Sequence, residues 1–190
     1  ESPEVEVTYI SDNAQAHWVV GRALRKGDLL LTLGAGDVHL VGKQLAKDLE
    51  VLEALEEVMA GEHGPSHLYE PMGRHTTMRV GGPAQYWIEP HSFESLAATV
   101  HYARQNQLPV RVIGRGSNLL VKEGGISGVV IHPVKGAFGR IDIQGAEIEA
   151  GAGARFKTLA GSARNAGLGG FEWMEGIPGN VGGSLRMNAG

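Results

Sequence analysis

PVRVIGRGSNLLVKEGGISGVVIHP, residues 109–133, holds two apolar runs of strand length separated by a glycine-bearing loop. The first run, PVRVIG, reads as a strand leading straight into RGSNLLV; the second, GGISGVVIHP, reads as a turn and a strand. In the loop, Gly114 and Gly116 carry no Cβ, so backbone N–H groups there can approach an anion closely. Ser117 and Asn118 add a hydroxyl and an amide that can hold a phosphate or a polar ring edge, or simply close a turn on their own backbone. Arg115 fits either a ligand contact or a solvated surface charge.

Working outward, QYWIEP reads as a strand, and TTMRVGG opens the series of β and α elements to which it belongs. Ser92 is placed to cap a helix carrying Leu96, Val100 and Ala103 that fades near Asn106. RIDIQGAEIEAGAGA reads as a hairpin about Gln144-Gly145, and Arg155–Asn165 as a short helix stopped by Gly167. GIPGNVGGSLRMNAG, Gly176–Gly190, reads as a loop, with Pro178 stiffening one end while Ser184 and Asn188 supply donors. Upstream, GEHGPSH (61–67) has the composition of a linker. Before it, Val5–Ile10 alternates like a strand, Asn13–Leu24 looks helical, and Lys26-Gly27-Asp28 makes a turn. LLLTL, Leu29–Leu33, has the continuous apolar character of a strand buried on both faces of a parallel sheet. Past GAGD, the positions Val38, Val41, Leu45, Leu49, Leu52, Leu55 and Met59 form one helical stripe, with Asp37 placed to cap it and Gly61 to end it. There is no internal repeat.

The 190 residues are 42% hydrophobic and 20% charged, which suits a soluble globular chain with a real core. Net charge is −4 with no basic run, a poor match to nucleic acid or an anionic membrane, and no apolar stretch approaches the ~18 residues of a span. Zero cysteines exclude disulfides, thiolate metal sites and a Cys nucleophile, and fit a cytoplasmic location. The 29 glycines, about twice the ordinary usage of roughly 7%, cluster at Gly34–Gly36, Gly114–Gly116, Gly151–Gly153 and Gly176–Gly183. None is a Walker A loop, and GAGDVH has His39 where the dinucleotide fingerprint needs its third Gly. Two such loops within one stretch favour a dinucleotide over a lone phosphate. His63 and His67 are spaced like ligands, but Gly64-Pro65 between them precludes a helix, and no metal site is assigned. Trp18, Trp87 and Trp173 read as core or edge packing, and Glu53, Glu56 and Glu57 as a solvated helix face.

The series HTTMRVGGPAQYWIEP, LPVRVIGRGSNLLVKEGGISGVVI, EAGAGA and GLGGFEWMEGIPGNVGGSLRMNAG resembles the first part of the UDP-N-acetylenolpyruvoylglucosamine reductases (MurB), from about Leu68 to Gly190. Lys122-Glu123 departs slightly, an Asp being commoner before that Gly turn. The resemblance implies FAD held between two small α+β subdomains. It places the cofactor on Gly114, Arg115, Gly116, Ser117, Asn118 and Leu119, and on Gly176, Ile177, Pro178, Gly179, Gly182, Gly183, Ser184, Met187, Asn188 and Gly190. LRKGDLLLTLGAGDVHLVGKQLAKDL is similar to the C-terminal end of UDP-N-acetylmuramate–L-alanine ligase (MurC), whose last domain is Rossmann-like.

The expected fold is therefore α/β and α+β: a partial Rossmann-like ligase unit over residues 1–60, a linker over 61–67, and a two-subdomain FAD-binding domain over 68–190 that stops before a substrate domain. The resemblance implies NADPH-dependent reduction, through FAD, of the enolpyruvyl group of UDP-N-acetylglucosamine enolpyruvate in peptidoglycan precursor synthesis. ATP and Mg²⁺ would serve the ligase portion, most of which would precede Glu1. The family's proton donor, acidic residue and substrate-domain Arg fall downstream of NAG, so no catalytic residue is assigned; Ser184 and Glu175 lie within the flavin-loop pattern and are not substituted for them. Two other readings stand beside this one, a non-redox nucleotide- or phosphate-binding module and a scaffold for the ligase.

Overall fold

The computed structural model describes residues 5–61 and 63–189. A four-stranded sheet forms its centre, in the order β1 (His63–Pro71), β2 (Pro83–Pro90), β4 (Ile126–Ile131) and β3 (Val110–Val112). β1 pairs antiparallel with β2, while β2, β4 and β3 run parallel. The β2-to-β3 crossover is helix α3 (Phe93–Gln105), started by Ser92, whose hydroxyl accepts from the Ser95 N–H at 3.1 Å. From β3 the chain passes through the loop 113–125 into the adjacent parallel strand β4, so that loop leaves the carboxyl end of β3.

Alternation along the strands sorts the core into two layers. Tyr86, Ile88, Val129 and Ile131 face a cluster with Leu45, Leu55 and Met59 of α2 (Val38–Val58), Leu68 and Tyr69 of β1, and Ala103 of α3. Trp87 and Val130 face the opposite layer with Met72, Ala84, Ile113 and Val121. Each fully buried large side chain contributes on the order of 1.5–3 kcal/mol. Helix α1 (Ala16–Ala23) packs on α2 and β1, beside the same layer.

One carboxylate ties α2 to the sheet. Asp48, 1% exposed, accepts from the Tyr86 hydroxyl at 2.7 Å, from Gln85 Nε2 at 3.1 Å, from Gln44 Nε2 at 2.9 Å, and from the Tyr69 hydroxyl. Burial and then the Asp48 hydrogen bond push both tyrosine hydroxyls far above their ordinary pKa, so both stay donors.

A smaller unit follows. The hairpin β5 (Ile141–Gln144) and β6 (Glu147–Ala150) turns at Gly145, whose φ of +61° suits a residue without Cβ. Helices α4 (Phe156–Asn165) and α5 (Val181–Met187) complete it. The segments before these helices are laced together: Phe156 N–H donates to Gly179 O at 3.1 Å, while Val181 and Gly182 donate to Ala154 O and Ala152 O at 2.8 Å.

Four expectations are corrected by this structure. Val5–Ile10 and Leu29–Leu33 form no strand, and Leu29 is 91% and Leu33 78% exposed. A strand needs a neighbour for its N–H and C=O groups, and among the described residues neither segment has one. The expected linker 61–67 gives way to β1, whose His63, Ser66 and His67 already pair with Pro90, Ile88 and Trp87. Helix α2 packs into the sheet's own core rather than closing a unit confined to residues 1–60. The expected loop Gly176–Gly190 contains α5, started where the backbone of 179–182 is pinned and ended by Asn188 in the left-handed conformation. Asp37 does stand at the N-terminal boundary of α2, but its side chain makes no capping bond.

Candidate functional site

The carboxyl ends of β3 and β4 open onto a cavity of about 630 Å³ between the sheet and the smaller unit. Ligands of open parallel sheets sit at such strand ends. Its walls are Gly114 and Arg115 after β3, His132, Val134 and Lys135 after β4, the turn Arg74–Thr77 with Arg79, and Gly153–Arg155, Thr158 and Asn180 from the smaller unit, with Gly139 and Ile141 closing the edge. Five permanent cations and no carboxylate line it, so the cavity selects for an anion. Arg74 and Lys135 reach Glu70 and Glu89 at 3.7 and 3.6 Å; Arg79, Arg115 and Arg155 have no carboxylate within ion-pair distance among the described residues. A larger open cleft of about 1120 Å³ runs between residues 24–32 and α2, but Asp28, Glu53, Glu56 and Glu57 outnumber Arg25 and Lys26 in its lining, which makes it less suited to an anion.

Backbone, not side chains, forms the inner wall. Gly116 has φ +65°, and a Cβ on it would strike the His75 carbonyl oxygen; its own carbonyl accepts from the Thr77 N–H at 3.1 Å. Glycine there is what lets the loop after β3 lie against the 75–77 turn. A Cβ on Gly153 would likewise strike the Pro133 carbonyl oxygen, bringing the smaller unit against the strand end.

Asn180 joins the two sides. It is 4% exposed, its Nδ2 donates to Gly153 O, and its Oδ1 is buried with no hydrogen-bond partner. Flipping the amide would set Oδ1 against a carbonyl oxygen, so the Gly153 bond fixes its orientation. Oδ1 lies 3.0 Å from where a Gly114 Cβ would be, directly behind the cavity wall. A buried acceptor without a donor costs about 1–3 kcal/mol, and a ligand N–H or O–H arriving there would recover it.

Two imidazoles flank the buried Trp87. His75 stacks on its ring at 3.8 Å and contacts Glu70 Oε1 through Nε2 at 2.9 Å; His132 packs at 4.8 Å and contacts Glu89 Oε1 through Nδ1 at 3.2 Å. Burial pushes the Glu70 carboxyl up, but the His75 hydrogen bond and the nearby His75, His67 and Arg74 charges outweigh it and leave it below the usual range. Glu89 is lowered against its own burial by hydrogen bonds from His132 and Trp87 and by the charges of His132 and Lys135. His132 is lowered mainly by burial, only partly opposed by Glu89. At neutral pH the pair is a carboxylate accepting from a neutral ring.

The residues expected from the sequence divide. Gly114 and Arg115 line the cavity, and Gly116 shapes its wall. Ser117 and Asn118 sit in the turn beyond it, and Leu119 packs against the second core layer instead. Of the later loop, Gly179 and Gly182 form the backbone lacing to 152–156, and a Cβ on Gly182 would press on Ala152 at 2.9 Å. Ser184 is buried near Gly179, whereas Gly176, Pro178, Gly183, Met187 and Asn188 are exposed and Ile177 is half-buried, none of them lining the cavity. Gly190 lies outside the described residues.

Sequence reasoning passed over Arg74, His75, Thr76, Thr77, Arg79, His132, Lys135, Arg155, Thr158 and Asn180. The HTTMR run was visible as a motif but lacks glycine at its centre, and Asn180 was masked by the glycines around it. Among the described residues no three His, Asp or Glu side chains gather as a metal site, and no helix is long and apolar enough to cross a membrane.

A family model described as an FAD binding domain matches residues 84–190. A UDP-N-acetylenolpyruvoylglucosamine reductase of Desulforamulus reducens is 46% identical over 127 residues, 67% of this chain and 42% of that protein. One from a Synechococcus species is 48% identical over 120 residues, 63% of this chain and 39% of that protein. The crystal structure of the enzyme of that name from Thermus caldophilus (MurB) superimposes with a TM-score of 0.54 at 38% identity, covering 66% of this chain and 42% of that one. The chain thus spans about two fifths of the length of these relatives.

Proposed function

The chain belongs to the family of FAD-binding domains, and from that premise we propose that its basic cavity holds the diphosphate of FAD in a UDP-N-acetylenolpyruvoylglucosamine reductase. One observation carries this: a glycine-walled cavity lined by five cations and no carboxylate, set at the ends of parallel strands. The residues fit the cofactor's charge and shape. Arg115 and Arg155, from opposite walls, would clamp the phosphates, and the wall between Gly114 and Gly116 admits them without a side chain in the way. The longer set expected from the sequence is retained here only as proposal: Ser117 and Asn118 at the loop tip, and the exposed Met187 and Asn188 toward the flavin end.

FAD supplies hydride chemistry; this chain supplies binding and orientation. The cations neutralise the diphosphate, the lacing between 152–156 and 179–182 holds the smaller unit together, the close approach of Gly153 to the Pro133 carbonyl seats it on the strand end, and Glu70 and Glu89 hold the His75 and His132 rings. NADPH as reductant and UDP-N-acetylglucosamine enolpyruvate as substrate complete the proposal, with the groups that protonate substrate outside these residues. The complete product of its gene is the material to assay. NADPH consumption that requires the enolpyruvyl UDP-sugar, in a protein carrying FAD, is the expected result. A flavin-free protein with no such consumption would contradict it and favour a non-redox phosphate-binding module.

The ligase likeness of residues 1–60 is kept as a second reading for one reason. Val5, Val7 and Tyr9, and Leu29, Leu31 and Leu33, form two strand-length apolar segments that are 70% or more exposed and unpaired among the described residues. Such segments suit strands whose partners lie elsewhere. ATP-dependent addition of L-alanine to UDP-N-acetylmuramate by the same gene product would support this reading, and its absence would remove it.

A further inference from the structure

The two imidazoles of the cavity have a property that diphosphate binding alone does not use. Glu70 and Glu89 have side chains only 11% and 10% exposed, and each takes a hydrogen bond from one ring, His75 through Nε2 and His132 through Nδ1. A neutral imidazole has a single N–H, and an ionised carboxylate can only accept, so the proton sits on the nitrogen facing the carboxylate. His132, which burial keeps from taking up a proton, is then a lone-pair acceptor at Nε2, and no described residue bonds to that atom. An anion entering the cavity beside His132 meets an acceptor where a donor is needed. Taking up a proton converts an acceptor into a charged donor.

We propose that a diphosphate-type anion binds this cavity with uptake of a proton by the Glu89–His132 pair, so that affinity falls as pH rises. This rests on the cavity being the diphosphate site. The surroundings set the stoichiometry. Around His132 stand Glu89 from β2, Lys135 from the segment after β4, and His75 from the turn after β1. Around His75 stand Glu70 and Arg74, with His67 behind Glu70 on β1. Arg79, Arg115 and Arg155 line the remaining walls. The His75 ring lies 5.9 Å from His132, and with one responding pair one proton per anion is expected. Burial keeps His132 neutral in the free protein at neutral pH, and a bound anion raises its affinity for the proton; the linked affinity is therefore highest at acid pH and is lost as pH rises.

The test is calorimetric titration of the chain with FAD, whose diphosphate diester has no phosphate that titrates near neutrality. Runs at one pH in two buffers of different ionisation enthalpy report proton uptake directly. About one proton per FAD, and a dissociation constant rising with pH by up to about tenfold per pH unit, are expected. The variant His132→Asn should lose the buffer-dependent heat and the pH dependence, and should bind FAD more weakly at acid pH. Should it fail to fold, the two-buffer comparison on the unaltered chain decides by itself. FAD binding with equal heats and a flat pH profile would overturn the proposal while leaving the diphosphate site standing. No FAD binding at any pH would overturn both.

Discussion

Replacing Asp48 with alanine removes the acceptor that four side chains share across the α2–sheet contact. Tyr69 and Tyr86, each 1% exposed, would be left with hydroxyl donors in an apolar layer. Gln44, Gln85 and Tyr69 border a small cavity of about 170 Å³, where water can replace part of the carboxylate's bonding. The loss therefore rests mainly on the Tyr86 hydroxyl and on what Tyr69 does not recover from water, at ~1–3 kcal/mol each. Relief of the buried charge offsets part of it, leaving about 2–4 kcal/mol of destabilisation in all. Against a total stability of about 5–15 kcal/mol that is a large fraction. Urea unfolding followed by Trp87 fluorescence measures it, because Trp87 is fully buried in the folded chain. The triple variant Asp48→Leu/Tyr69→Phe/Tyr86→Phe removes donors and acceptor together and should recover to within about 1 kcal/mol of the parent. A loss below about 0.5 kcal/mol in Asp48→Ala, or a separate early melting of α1 and α2 with the sheet intact, would refute the claim that this carboxylate clasps the helix to the core.

Removing residues 1–61 should leave the remainder aggregated or molten, because Leu45, Leu55 and Met59 leave the core and β1 loses its cover; circular dichroism and ANS binding report this, and a native-like remainder would restore the linker reading. Gly116→Ala should lower FAD affinity at least about tenfold, since its Cβ collides with the His75 carbonyl at a φ of +65° and pushes the loop off the 75–77 turn; Gly183→Ala, in open space, is the control and should change affinity less than about twofold. Asn180→Ala should weaken FAD binding about tenfold and lower thermal stability, through loss of the bond to Gly153 and of the free Oδ1 acceptor; unchanged affinity would remove Oδ1 from the site.

What could be read from sequence followed from whether the signal was local. Ser92 before a helical stripe, Gly145 in its hairpin and Gly167 after α4 each express a preference of a few neighbouring residues, and each lies where expected. Leu29–Leu33 failed because an apolar run states a capacity for burial, while strand formation depends on a partner strand that sequence does not locate. GEHGPSH misled for the converse reason: its Gly and Pro are tolerated in an edge strand with a register shift between His63 and Ser66. At the site, the glycines around 114–116 were legible because φ and close approach restrict that position directly. The cations were not, since Arg74, Arg79, Lys135 and Arg155 are scattered along the chain and converge only through the sheet order and the 152–182 lacing. Nothing local in the sequence sets Asp48 apart among the leucines of α2; its role comes from Tyr69 and Tyr86, which the sheet places against it.

Equilibrium titration of the chain with FAD, beside riboflavin, tests the central claim most directly, because riboflavin keeps the flavin ring and lacks the diphosphate. Two charge-assisted hydrogen bonds to phosphate at ~1.5 kcal/mol each correspond to roughly a hundredfold preference for FAD. FAD binding with that preference, and its loss in Arg115→Ala/Arg155→Ala, is the predicted result. Riboflavin binding as tightly as FAD, or FAD affinity untouched by removal of both arginines, would contradict it.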